Sequence, residues 1–260
     1  MRRYATFVCR CRIPVIPHTA LFSPSIGPLL YGFALLLLFF VLMNADRRFR
    51  EHVSRSMLRP FNFFADLRDR RLLPNAQTTL LAVILSGSAA LCLGAILRHV
   101  YALEATRNAA GQVLPVGLRS WAQSEDGSFF GMVLWLTLIV LTVILFMVLV
   151  LRFIAIFRKG RIMIGDTYNV VVWSALPIVV LLPFDLLLPR MDVELKTIIL
   201  AVSILVVLIL WVYYRLLKGA GVLFDVYPAR LYIYGTFALL VVTILVLGYL
   251  QSLHILSNFR

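Results

Sequence analysis

The sequence predicts an all-α integral membrane protein. The expected form is a bundle of five transmembrane helices, with a candidate sixth at the N-terminal end and a basic amphipathic interfacial segment leading into the bundle. Three observations predict it. Of the 260 residues, 62% are hydrophobic, and the mean hydropathy is +0.94, whereas soluble domains are about 45–50% apolar. The apolar residues gather into runs of the length a helix needs to cross a bilayer core, about 20 residues. The loops between the runs alternate in arginine content. In hydrocarbon every backbone polar group needs an internal partner, which a helix supplies. A membrane barrel would instead show short alternating segments.

The organisation follows as an N-terminal extension (1–43), a basic amphipathic segment (44–76) and a five-span domain (77–260). Residues 1–25 carry Arg2, Arg3, Arg10 and Arg12 with no acid, followed by an apolar run at 26–43. That run is either a further span or part of an upstream extension, with Met43 as the true start. A cleaved signal peptide fits worse, because it would export the arginine-rich segment behind it and no small-x-small cleavage site follows.

Segment 46–75 comes next. Phe49, Val53 and Met57 recur at helical spacing, Pro60 can open a second helix, and Phe61, Phe64 and Leu67 make a second apolar face. Arg47, Arg48, Arg50, Arg55, Arg59 and Arg68 fill much of the rest. This pattern predicts helices lying in the interface plane, with Phe61, Phe63 and Phe64 in the acyl boundary and the arginines at headgroups. The formal charge of +13 would suggest nucleic acid in a soluble protein. Here the cations flank apolar spans, so anionic membrane lipid is the expected partner. A membrane-protein partner or a second copy is a further expectation, and nucleic acid is not.

The five spans are 78–97, 129–151, 168–189, 195–217 and 231–253. Cytoplasmic loops carry the excess of Lys and Arg. Eight arginines in 44–76, four cations after the second span and three after the fourth total 15, against six in the alternate regions. This places 44–76 in the cytoplasm and the C-terminus outside, in a bacterial cytoplasmic membrane. Gly87, Ser88, Ala89 and Ala90 give the first span a small-residue face suited to close packing. Arg152, near the end of the second span, is expected to snorkel to headgroups. Trp121, Trp211, Tyr213 and Tyr214 read as interfacial anchors.

Two features are candidate polar sites. The third span carries Pro177, Pro183 and Pro189 with Asp185 among them. A proline-broken helix with an acid is one way to build a transport site. Counting from the loops puts Asp185 near the outer end, solvated or paired with Arg190. Two inside loops share an offset: Lys159-Gly160 then Asp166-Thr167-Tyr168, and Lys218-Gly219 then Asp225-Val226-Tyr227. A duplicated hairpin would give this, with glycine at the reversal, the acid capping the next helix and the tyrosine anchoring it. The sharper alternative is one shared site of Lys159, Lys218, Asp166 and Asp225.

No cofactor or metal is expected. Cys9 and Cys11 are a lone pair, Cys92 lies within a span, and the four histidines lack ligand spacing. There is no H-E-x-x-H, G-x-G-x-x-G or P-loop, and the outer loop with Glu104, Glu125 and Asp126 is too short for a catalytic domain. The protein is therefore expected not to be an enzyme.

The segment Arg59-Pro60-Phe61-Asn62-Phe63-Phe64-Ala65-Asp66-Leu67-Arg68, together with Lys159-Gly160-Arg161 and Tyr168-Asn169-Val170-Val171-Val172-Trp173-Ser174-Ala175-Leu176-Pro177, resembles the Yip-type (Ypt/Rab-interacting) five-span membrane domain in its bacterial branch, over about 43–254. The resemblance implies a cytosolic N-terminus, a short outer C-terminus and no catalytic residues. It also favours Met43 as the start. The expected function is non-enzymatic: organising membrane or assembling with partners. The alternative is a small-solute transporter using the broken third span and Asp185.

Overall fold

The computed structural model describes residues 26–69, 75–102, 128–156, 162–187 and 195–258. Among these residues there are nine α-helices and one 3-10 turn: α1 (Ile26–Ala45), α2 (Arg47–Leu58), α3 (Pro60–Arg68), α4 (Asn75–Ala102), α5 (Ser128–Ile156), α6 (Ile164–Ser174), the 3-10 turn Leu176–Val180, α7 (Leu181–Leu187), α8 (Leu195–Leu223) and α9 (Pro228–Asn258). Five stretches are long and apolar enough to cross a bilayer: Ile26–Ala45, Ala76–Val100, Phe129–Ile156, Ile164–Leu186 and Ile198–Leu223. Within α9, Ala229–Leu245 is a shorter apolar stretch. The protein is an all-α, multi-pass membrane bundle.

The run at 26–43 is a full member of that bundle. α1 packs on α4 and α7, and Leu35 shares a core with Ile84, Leu91, Met132 and Leu182. The small-residue face of α4 makes this approach close: a Cβ on Gly87 would lie 2.6 Å from Leu35 Cδ1 and 2.8 Å from the Tyr31 hydroxyl.

α4 and α5 pair along much of their length. Gly94 meets Val133 near one end, and Leu81 and Leu85 share a core with Ile144 and Val148 nearer the other. The outward faces are apolar, with Phe146 and Leu149 on α5, Val207 and Ile209 on α8, and Phe237 and Leu245 on α9 exposed. In water such a surface would be prohibitive, and in a bilayer it is the solvent-matched face. The third apolar run is broken, as its prolines predict. α6 ends at Ser174, Pro177 sits in the 3-10 turn, and α7 resumes at Leu181, because proline lacks the N–H an α-helical register needs.

α2 and α3 form a short hairpin packed under one end of the bundle, against α8, α6 and the start of the 3-10 turn. We call this the hairpin end.

Candidate functional site

The hairpin is fixed by its first residue. Asp46 N-caps α2, accepting from the Arg48 N–H at 2.8 Å, and its other oxygen accepts from Gln77 Nε2 at 2.7 Å. It thereby ties the junction of α1 and α2 to the first turn of α4. These bonds, the Gln77 one foremost, hold the Asp46 carboxyl below its ordinary value. Pro60 then opens α3 at its first position, where its missing N–H costs nothing.

The buried faces converge on Trp173, at the end of α6. Phe49, His52 and Phe63 surround its ring at centroid distances of 5.8, 6.4 and 5.0 Å, and its Nε1–H donates to Thr78 Oγ1 at 3.4 Å. Burial, with Arg55 nearby, pushes the His52 imidazole below its ordinary value and favours the neutral ring. Arg215 of α8 completes the joint. It is buried, and its Nη2 donates to Ser56 Oγ at 2.7 Å and to the Trp173 carbonyl at 3.2 Å, with Nη1 on Met57 Sδ at 3.4 Å. One guanidinium therefore bridges the hairpin, α6 and α8. Gly219, one turn further along α8, allows the close approach: a Cβ there would lie 2.9 Å from Val170 Cγ1 and 3.2 Å from the Phe64 ring.

This placement corrects the expected orientation of the hairpin. Phe49, Phe63, Phe64 and Leu67 are buried in the protein core, so Phe63 and Phe64 are not in an acyl boundary. The periodicity is right, but the apolar stripe meets protein instead of lipid. The opposite face is a different surface. Arg47, Arg48, Arg50, Arg55, Arg59 and Arg68 are all exposed, and Leu58 (79% exposed) and Phe61 (50% exposed) stand out among them. Arg47 pairs with Glu51 at 3.3 Å, Arg55 with Asp66 at 3.8 Å and Arg68 with Asp69 at 3.6 Å, which offsets part of this positive face.

Asp185 is also displaced from its expected place at the outer end of its span. It is 4% exposed and accepts from Ser88 Oγ at 2.7 Å, while its second oxygen has no hydrogen-bond partner. Ser88 is the central residue of Ala76–Val100, about 18 Å from either end at the α-helical rise. Its neighbour Gly87 faces Leu35, midway along α1. Asp185 is thus at the bundle's mid-depth. The reason is register. Trp173 is level with Thr78 at the start of α4, so α6 lies beside the hairpin, below that level, and only the remainder of the third run climbs the bundle. Arg190 lies outside the described residues.

Among the described residues of the repeated loop motif, the two acids make different contacts. Lys159 and Gly160 lie outside the described residues. Asp166 caps α6, accepting from the Met163 N–H at 2.9 Å. Asp225 lies three residues before the first residue of α9, Pro228. It follows α8 in the left-handed region at φ 52°, where Asp is tolerated better than most residues, and pairs with Arg68 at 3.4 Å. Gly219 is helical and serves close packing, not a chain reversal. Lys218 and Asp225 do share a cleft with Arg68, of about 590 Å³. Arg152 turns to the Ile162 carbonyl instead of extending freely to headgroups. Tyr214 stacks on Tyr232 at 4.9 Å, and Tyr213 donates to the Gly235 carbonyl at 2.7 Å. Trp121 and the outer-loop acids lie outside the described residues.

The two segments that carry the family resemblance, 59–68 and 168–177, thus meet around Trp173. The family model of the Yip1 domain matches residues 54–250. The chain belongs to the Yip1 domain family. The matched region starts within α2, so α1 precedes the Yip1 domain. No curated protein and no solved structure matches the chain. The Yip1 domain here is a multi-pass membrane bundle with a docked basic hairpin. In the sequence Arg215 is one of the three cations after the fourth span, with nothing to distinguish it from a topology-setting charge.

Proposed function

We propose that the protein is a non-enzymatic Yip-type membrane organiser, and that the exposed hairpin face engages an anionic leaflet. The observation that carries this is the pairing of Leu58 and Phe61, both exposed, with the arginines around them. Apolar side chains flanked by cations are the composition of an interfacial surface. Each cation near an anionic leaflet contributes about 1 kcal/mol. The arginine distribution puts the hairpin end in the cytoplasm. A membrane-protein partner or a second copy would then assemble through the apolar flanks of the bundle.

The test needs the intact chain, because an isolated hairpin would expose Phe49, Phe63 and Phe64 and bind lipid through its core face. A polarity-sensitive fluorophore at Ser54→Cys, on the same face as Arg47 and Leu58, is read in reconstituted vesicles. The expected result is a blue shift in anionic but not neutral vesicles, lost in the R47Q/R50Q/R55Q triple variant. Equal spectra in both vesicle types would refute the reading.

The mid-depth acid favours a second reading, transport of a small solute or proton. An ionisable group at that depth, beside a broken helix and with one oxygen unpaired, is a functional position by default. For transport, Asp185→Asn abolishes flux in proteoliposomes while leaving the fold intact. Unchanged flux of every tested solute and of protons removes this reading.

A further inference from the structure

The cleft that holds Arg68, Lys218 and Asp225 lies between α3, the last turns of α8 and the start of α9. Its depth in the molecule can be read from its neighbours. Arg215 on α8 bonds the Trp173 carbonyl, Trp173 bonds Thr78, and Thr78 lies in the first turn of α4. The stacked Tyr214 and Tyr232 lie at that same level, as an aromatic belt does. The cleft starts less than one turn further out, at Leu217 and Lys218, and runs to Asp225. Its position is therefore that of lipid headgroups, with apolar wall on the bundle side and charge on the outer side.

The charge balance differs from that of the rest of the arginine face. Arg68 stands with two carboxylates, Asp69 at 3.6 Å and Asp225 at 3.4 Å, and Lys218 adds a second cation. The backbone that presents Asp225 is fixed: the Val226 N–H donates to the Gly221 carbonyl at 3.0 Å, closing the end of α8 with Asp225 in the left-handed conformation. An anionic headgroup alone would be drawn to Lys218 and the Arg68 guanidinium but repelled by Asp225 and Asp69. A headgroup with a phosphate and, a few atoms on, an ammonium satisfies Arg68, Lys218 and Asp225 together.

We infer that this cleft holds the headgroup of a phospholipid bearing a primary ammonium beyond its phosphate. The phosphate lies against Arg68 and Lys218, the ammonium donates to Asp225, and the glycerol end follows Leu217 and Tyr232 toward the bilayer. The inference rests on the reading that the hairpin end meets a leaflet, but it makes a separate claim. The arginine face attracts net negative charge, whereas the cleft selects an ammonium.

The full-length protein in detergent is incubated with equimolar phosphatidylethanolamine and phosphatidylglycerol of the same acyl chains, and the co-purified lipids are quantified. Phosphatidylethanolamine is expected to be enriched up to about fivefold, the upper end for an exposed ion pair. Asp225→Asn removes the enrichment, and since Asn also tolerates the left-handed region, the turn survives. R68Q/K218Q lowers retention of both lipids. Equal or greater retention of phosphatidylglycerol by the wild-type chain, or enrichment that survives Asp225→Asn, overturns the inference. The R47Q/R50Q/R55Q variant separates the two claims, because it loses the anionic-vesicle response and keeps the phosphatidylethanolamine preference. Enrichment without any vesicle response would sink the arginine-face reading alone. A vesicle response without enrichment would sink the headgroup site alone.

Discussion

Arg215 is a cation held inside the protein by neutral acceptors. A guanidinium has five N–H donors in a fixed fork, and here the fork reaches one hydroxyl, one carbonyl and one thioether sulfur on two separate elements. It therefore joins parts that apolar packing alone would leave free to slide. Arg215→Ala removes the donors from Ser56 and the Trp173 carbonyl and opens a cavity beneath the hairpin. The expected cost is about 1–3 kcal/mol of hairpin docking, seen as faster trypsin cleavage within 47–59 while the bundle stays intact. An unchanged cleavage rate would show that the aromatic contacts suffice. None of this was legible in the sequence, where a cation at a helix end has a simpler explanation in headgroup attraction. Asp185 was legible as a candidate but not in its depth, because depth depends on how one helix registers against another.

Among the elements, the prolines of the third run announced its break, and the structure breaks it between Ser174 and Leu181. The hairpin's helices were also legible, from the spacing of Phe49, Val53 and Met57 and from Pro60. Their facing was not. In a membrane protein an apolar stripe is satisfied equally by lipid or by protein, so periodicity finds the stripe without naming its partner. Close approach between elements is the deciding factor, and it depends on single glycines. At Gly219 a methyl group would push against the stiff Val170 side chain and the Phe64 ring. Gly219→Ala is expected to destabilise by about 1–3 kcal/mol, measured as a lower melting temperature in detergent. Gly131 is the control, since a Cβ there meets nothing within 4 Å, and Gly131→Ala should leave the melting temperature unchanged or raise it. Equal effects at both positions would mean that helix propensity, not the α8 approach to α6 and α3, governs the outcome.

At the scale of the molecule, composition and run length were enough to predict a helical membrane bundle, and the Yip1 domain match agrees. The N-terminal run was harder to place. Its apolar length suits a span, and α1 packs on Gly87 and Leu91. What emerges is a protein with two distinct ends to its chemistry: a mid-depth carboxyl enclosed by apolar helices, and a hairpin whose core face grips the bundle while its outer face carries arginine, Leu58 and Phe61. We propose above that this outer face meets a membrane. A nitroxide at Leu58→Cys in the full chain, reconstituted in vesicles with anionic lipid, tests it most directly through its accessibility to oxygen and to a water-soluble nickel complex. High oxygen and low nickel accessibility are expected at position 58, reverting to nickel accessibility in neutral vesicles or at high salt, where the attraction is screened. High nickel accessibility in anionic vesicles at low salt would contradict it, and would leave the hairpin as a solvent-facing structural cap.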